Sequence, residues 1–174
     1  TVTQSGQLNS GSTINLTDET ANLNMKSSGA FTLLNVAAGN GNINIDTSGQ
    51  AFNFGKGVGS SFAGNVNLGN TTLDLKGDNT TVLKNATLVT GTDSTVNVSE
   101  IQQTIGNLTL DGGTLVFGLT NQQGERFGSI NTGILNSSSA NQTYVQLDLS
   151  KVASDKTAFD PTSNLLNHVG QNIE

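Results

Sequence analysis

Few residues in this chain are equipped for acid–base or nucleophilic chemistry. The single histidine, His168, stands near the C-terminal end, and no Gly-x-Ser-x-Gly element marks a nucleophile for it to activate. Cysteine is absent, which excludes thiolate zinc and iron–sulfur sites as well as a disulfide scaffold. The best cluster of opposite charges is Asp74, Lys76, Asp78 and Lys84. Paired carboxylates beside a cation are what polysaccharide cleavage needs, because one carboxyl must act as the acid. Here Asp74 alternates with Leu73 and Leu75, so it faces outward from a strand, and Asp78 falls in the following turn. That is the pattern of a solvated strand end. Asp46, Asp93 and Asp111 are flanked by Gly, Ser or Thr, as turn residues are. Calcium loops of the Asp-x-Asp-x-Asp-Gly type and Gly-Gly-x-Gly-x-Asp repeats are missing. GKGVG at residues 55–59 lacks the Gly-Lys-Ser/Thr end of a phosphate loop. The expectation is a protein that is not an enzyme and that carries no cofactor and no metal.

The elements that would hold any site are written in the composition. Of 174 residues, 33% are hydrophobic and 11% charged, against roughly 45–50% apolar and 25% charged in ordinary domains. Asn, Thr, Ser and Gly fill the difference, and they favour turns and strands over helix. The net charge of −6 disfavours nucleic acid or an anionic membrane surface as partner. No apolar run approaches the ~18 residues of a membrane-spanning helix, so membrane insertion by this segment is not expected. No cationic stretch followed by an apolar one opens the chain, so no signal peptide is read there.

Apolar residues recur in pairs at i and i+2, among them Leu23 and Met25, Ile43 and Ile45, Phe52 and Phe54, and Val66 and Leu68. This is the period of short strands with one buried face. A longer period lies above it. One series runs Leu23, Ile43, Val66, Leu88, Leu108; another runs Phe31, Phe52, Leu73, Val96, Leu115. A fainter third series runs Phe62, Val82 and Leu83, then Ile101 and Ile105. A β-sandwich would show the alternation, but not two series in register at about 21 residues. Three strands per turn without intervening helices predict an all-β, three-faced parallel β-helix, with about five coils over residues 14–117. Stacked coils bury together what no single coil can bury alone.

Residues lying between each inward pair project to solvent. The first series gives Asn24, Asn44, Asn67 and Thr109; the second gives Thr32, Asn53, Asp74, Asn97 and Val116. Stacked on successive coils they form ladders of short, nearly uncharged groups. Such a surface keeps a solenoid soluble, and it also permits identical molecules to lie side by side without charge repulsion.

Beyond Phe117 the pattern weakens. Residues 118–143 read as an irregular excursion with one weak strand around Ile130 to Leu135. Arg126, Phe127, Ile130 and Tyr144 are the side chains there, and at its edge, suited to interface anchoring. Residues 144–149 return to strand alternation. Leu165, Leu166 and Val169 have helical spacing after Asp160 and Pro161, so a short helix capping the last coil is expected within residues 144–174.

Residues 61–75 (SFAGNVNLGNTTLDL) and 105–117 (IGNLTLDGGTLVF) resemble the coils of bacterial autotransporter passenger domains, the AIDA-like adhesins of type V secretion. Phe62, Gly64, Val66, Leu68, Gly69, Asn70 and Leu73 match one coil motif of that family. Leu108, Leu110, Gly112, Gly113, Leu115 and Phe117 match another. The resemblance is close over residues 50–117 and one of pattern over residues 8–50. It implies a right-handed β-helix, the hand also favoured by crossover connections generally. It further implies an extracellular rod displayed on a bacterial cell and anchored by a translocator barrel absent from this chain. The work implied is adhesion, autoaggregation or biofilm formation, with the molecule itself or a host surface protein or glycan as partner. An inert stalk and a polysaccharide-binding or polysaccharide-processing β-helix are the other readings.

Overall fold

A computed structural model describes residues 1–4, 6–8, 11–55, 61–75, 80–121 and 126–152. Every element among them is a strand. One long sheet stacks β2 (Asn22–Lys26), β5 (Asn42–Asp46), β7 (Asn65–Leu68), β9 (Leu83–Thr90), β11 (Gln102–Leu110) and β14 (Ser129–Ser137). A second stacks β3 (Phe31–Leu33), β6 (Ala51–Phe54), β8 (Thr72–Asp74), β10 (Thr95–Ser99), β12 (Gly113–Thr120) and β15 (Thr143–Lys151). All of these pairings are parallel, and the chain alternates between the sheets. The protein is therefore a parallel β-solenoid, six strands deep in each long sheet, or about 24 Å along the stack at ~4.8 Å per strand.

The two apolar series coincide with the register residue for residue. Leu23, Ile43, Val66, Leu88, Leu108 and then Leu135 are successive partners. So are Phe31, Phe52, Leu73, Val96, Leu115 and then Val145. Strand pairing with period 2 keeps each column on one face, so an apolar column on the inside stays inside from coil to coil. Phe52 is fully buried and lies at the centre of an aromatic group. Its ring centroid is 5.9 Å from that of Phe31 in a near-parallel stack, and 5.1 Å from that of Phe54 edge to face.

The third face is short. β1 (Thr13–Leu16) pairs with β4 (Val36–Gly39), and a single bridge links Gly39 to Phe62. From there, among the described residues, the third series has no sheet of its own. β9 and β11 begin on that side and bend into the first long sheet. Leu83 pairs with Ile105 before a register irregularity, and Thr87 pairs with Asn107 after it. Gly39 shows why a corner here excludes side chains. Its φ is +94°, and a Cβ would fall 2.2 Å from the Leu16 carbonyl oxygen one coil away.

Where the chain turns between the long sheets, buried hydroxyls satisfy backbone groups that the ladders leave over. Thr71 and Thr47 are both buried. The Thr71 hydroxyl accepts from the Thr47 amide at 2.9 Å and contacts the Thr47 hydroxyl at 2.9 Å, while Thr47 Oγ1 donates to the Gln50 carbonyl. Thr90 Oγ1 donates to the Gly112 carbonyl at 2.7 Å.

The excursion expected over residues 118–143 needs correction. β12 continues to Thr120, and β13 (Arg126–Phe127) folds back on it antiparallel, pairing Leu119 with Phe127. The strand expected around Ile130 to Leu135 is β14, nine residues long and fully in register with β11. The hairpin takes up the additional residues, so the sixth coil closes after a longer step than its predecessors. The terminal strand is also longer than residues 144–149 and belongs to the second long sheet. The helix expected around Leu165, Leu166 and Val169, and His168 with it, lies outside the described residues.

Candidate functional site

The outward positions of the first long sheet carry two parallel columns. The first is Asn24, Asn44, Asn67, Val89 and Thr109. Asn44 Nδ2 donates to Asn24 Oδ1 at 2.8 Å, and Asn67 Nδ2 to Asn44 Oδ1 at 2.8 Å. The second column, not anticipated above, is Asn22, Asn42, Asn65, Thr87 and Asn107. Asn65 Nδ2 donates to Asn42 Oδ1 at 3.0 Å, and Asn107 Nδ2 contacts Thr87 Oγ1 at 3.4 Å. The signal was present in the sequence as Asn-apolar-Asn-apolar at residues 22–25, 42–45 and 65–68. The two columns are also tied together, since Asn44 Nδ2 donates to Asn22 Oδ1 at 3.2 Å as well as to Asn24 Oδ1.

On the second long sheet, Thr32 pairs with Asn53, and Asp74 with Asn97, which pairs in turn with Val116. Beside that column runs Thr72, Thr95, Thr114 and Tyr144. The ladder residues expected from the sequence thus fall into columns on two different faces. One solenoid side presents carboxamides, the other hydroxyls and mixed polar groups.

The four expected loop contacts do not gather into a recognition loop. Arg126 is exposed on β13. Phe127 and Ile130 line an apolar cavity at the end of the stack. Tyr144 is exposed on the outer face of β15, its hydroxyl 3.2 Å from Gln142 Oε1.

Several of the described acidic residues accept hydrogen bonds from groups close by in the chain or on the next coil. Ser48 N donates to Asp46 Oδ1 at 3.1 Å. The hydroxyl and amide of Thr20 hold the Asp18 carboxyl below the usual range, and the amide and hydroxyl of Ser150 do the same for Asp148. Asp111 is lowered by the Asn141 amide, 2.9 Å away, and by the Ser138 hydroxyl. Of the charge cluster expected around Asp74, Asp74 lies on β8 and Lys84 on β9, in different sheets. Lys76 and Asp78 lie outside the described residues. Among the described residues no group of three or more metal-ligating side chains is assembled.

The cavity opens at the C-terminal end of the stack. It measures about 320 Å³ and is lined by Leu108, Leu115, Phe117, Phe127, Ile130 and Val145, among others. Leu135 and Val145 occupy inward columns yet are 61% and 59% exposed, because no further described coil covers them.

This architecture defines the chain as a β-solenoid with polar, ladder-bearing outer faces. Among curated proteins it is similar to two from Escherichia coli strain K12. The uncharacterized lipoprotein YdeK is 36% identical over 93 residues, 52% of this chain and 7% of the relative. The uncharacterized protein YuaQ is 34% identical over 101 residues, 58% of this chain and 7% of the relative. The chain thus matches about 7% of the length of either relative. No family model and no solved structure matches it.

Proposed function

We propose that this chain is a segment of a longer surface-displayed rod that works by adhesive contact rather than catalysis. The observation that carries the reading is the pair of outward columns from Asn24 to Thr109 and Asn22 to Asn107. They line one side of the solenoid with short uncharged side chains over several coils, polar but for Val89, with Lys26 and Asp46 beside them at the end of the first coils. The columns of a second, identical side can lie against these columns with no like charges opposed along them, their side-chain amides and hydroxyls meeting one another. A relative named as a lipoprotein supports a membrane-anchored or surface setting. The likeness of the coils to autotransporter passengers supports extracellular display, with another copy of the molecule or a host surface protein or glycan as partner.

Sedimentation velocity over a concentration series at two salt concentrations tests this reading. Reversible association that is little changed by salt is expected. Asn67→Lys and Thr109→Lys should weaken it, whereas Asn97→Lys, on the second long sheet, should not, each checked for intact folding by circular dichroism. The specific observation favouring an inert stalk is that Asn44 and Asn67 already spend amide hydrogens along the rod axis. A monomer at every concentration would favour the stalk.

A further inference from the structure

We infer that Asn40 is a deamidation site held shut by the stacked coils, and that its conversion to isoaspartate is a one-way lock against reclosure of the first coil. Asn40–Gly41 is the one Asn-Gly pair in the sequence. Gly41 has no side chain to shield its amide nitrogen from the neighbouring carboxamide. In an open chain that nitrogen gives its proton to hydroxide and attacks Asn40 Cγ. The Cγ–Nδ2 bond breaks, ammonia leaves with a proton taken from water, and a succinimide ring remains. Water then opens the ring. Cleavage between Cγ and the nitrogen gives aspartate. Cleavage between the main-chain carbonyl carbon and the nitrogen gives isoaspartate, whose backbone runs through Cβ and Cγ and is one carbon longer.

The fold opposes the first step. Asn40 is exposed, so water reaches its carboxamide, but Gly41 is buried. The Gly41 amide donates to the Leu16 carbonyl at 3.0 Å, beside the Asn40 amide at 2.9 Å. On the next coil, Asn65 N donates to the Gly41 carbonyl at 3.0 Å and Ala63 N to the Gly39 carbonyl at 2.9 Å. The corner is thus stitched to the coil on either side. A Cβ on Gly41 would fall 2.7 Å from the Ala21 carbonyl oxygen and 2.8 Å from Leu16 Cβ. One on Gly64 would fall 1.9 Å from the Gly41 carbonyl oxygen and 2.7 Å from the Asn40 carbonyl carbon. Attack on Cγ needs the Gly41 nitrogen freed from Leu16 and its peptide turned, which the closed coils forbid. Among the described residues β1, which carries Leu16, pairs only with β4, and end coils of a solenoid open at least cost. Isoaspartate formed during such an opening does not fit back. Its additional carbon would enter the backbone between Gly39 and Gly41, where neither glycine has room for even a Cβ.

Incubation of the full chain at mildly alkaline pH, native and in guanidinium chloride, tests the gate. Isoaspartate is read by enzymatic methylation with protein isoaspartyl methyltransferase and located by mass spectrometry. Asn40 should convert before any other asparagine in the denaturant, and at least ten-fold more slowly in the native chain. Leu16→Ala, which loosens β1 and leaves its carbonyl in place, should raise the native rate several-fold. Where this variant does not fold, the wild-type comparison decides alone: equal rates native and denatured overturn the gate. Hydrogen–deuterium exchange of the isoaspartyl chain, purified and returned to native buffer, tests the lock. Amides of β1 and of Asn42 should exchange at least ten-fold faster than in the unmodified chain, with β10 and β12 unchanged. Asn40→Asp adds the same charge without the backbone carbon and should exchange as wild type does. Wild-type exchange in the isoaspartyl chain, or equal loosening in Asn40→Asp, overturns the lock.

Discussion

Asn67 donates its amide to Oδ1 of Asn44 across one coil, at 2.8 Å, and Asn44 repeats the same bond to Asn24 below it. Asn44 is thus donor and acceptor at once, so its removal breaks the column on both sides. Asn44→Ala should destabilise the protein by about 1 kcal/mol, since partly exposed neutral hydrogen bonds are worth ~0.5–1.5 kcal/mol each and water replaces part of the loss. Asn24→Ala, which ends the column, should cost less. Urea unfolding of both variants checks the order.

The aromatic group sets the largest single cost. Phe52 is fully buried between Phe31 and Phe54. Phe52→Ala should cost about 3–5 kcal/mol, the range for a buried aromatic truncation. Phe52→Leu should recover much of that by keeping the volume filled. The shift in urea midpoint measures both.

Glycine substitutions should divide sharply. At Gly64 a Cβ would fall 1.9 Å from the Gly41 carbonyl oxygen, a backbone atom that cannot step aside. Gly64→Ala should therefore destabilise by several kcal/mol or prevent folding, in the tail of the ~0.5–3 kcal/mol range usual for point mutations. At Gly29 nothing lies within 4 Å of the added carbon, and Gly29→Ala should be within about 0.5 kcal/mol of neutral. Thermal unfolding of the pair separates close approach from a general aversion to side chains.

Acid should loosen the sixth coil through Asp111. The Asn141 amide and the Ser138 hydroxyl lower its pKa in the folded chain. A depressed folded pKa gives stability that is present above the unfolded value of about 3.9 and is lost as pH falls through the folded value. Asp111→Asn removes the titration. Its urea midpoint should therefore fall less steeply than wild type as the pH drops below about 4. Equal slopes would show that other carboxyls carry the acid response.

The long sheets were legible because two independent periods agree. Leu23, Ile43, Val66, Leu88 and Leu108 were readable as a column since each sits in an alternating pair and the steps between them are nearly constant. Leu135 and Val145 were not readable as the next members, because the β12–β13 hairpin lengthens those steps to 27 and 30 residues. The third face was faint for a different reason. After Phe62 it survives only as the bent beginnings of β9 and β11. The Asn42–Asn65 column escaped notice because these residues precede the apolar pair instead of lying between its members. Phe127 and Ile130 looked like loop anchors from their chemistry alone. Only the hairpin fold-back turns them into the walls of the cavity.

The near-exclusive parallel pairing has a mechanical consequence. Each coil bonds only to the coil before it and the coil after it, so tension applied between the chain ends loads the terminal coils first. Yielding would proceed one coil at a time, each releasing roughly 70 Å of extended chain. A long array of such coils would act as a stepwise extensible tether. The load would be shared out among many small rupture events instead of a single detachment.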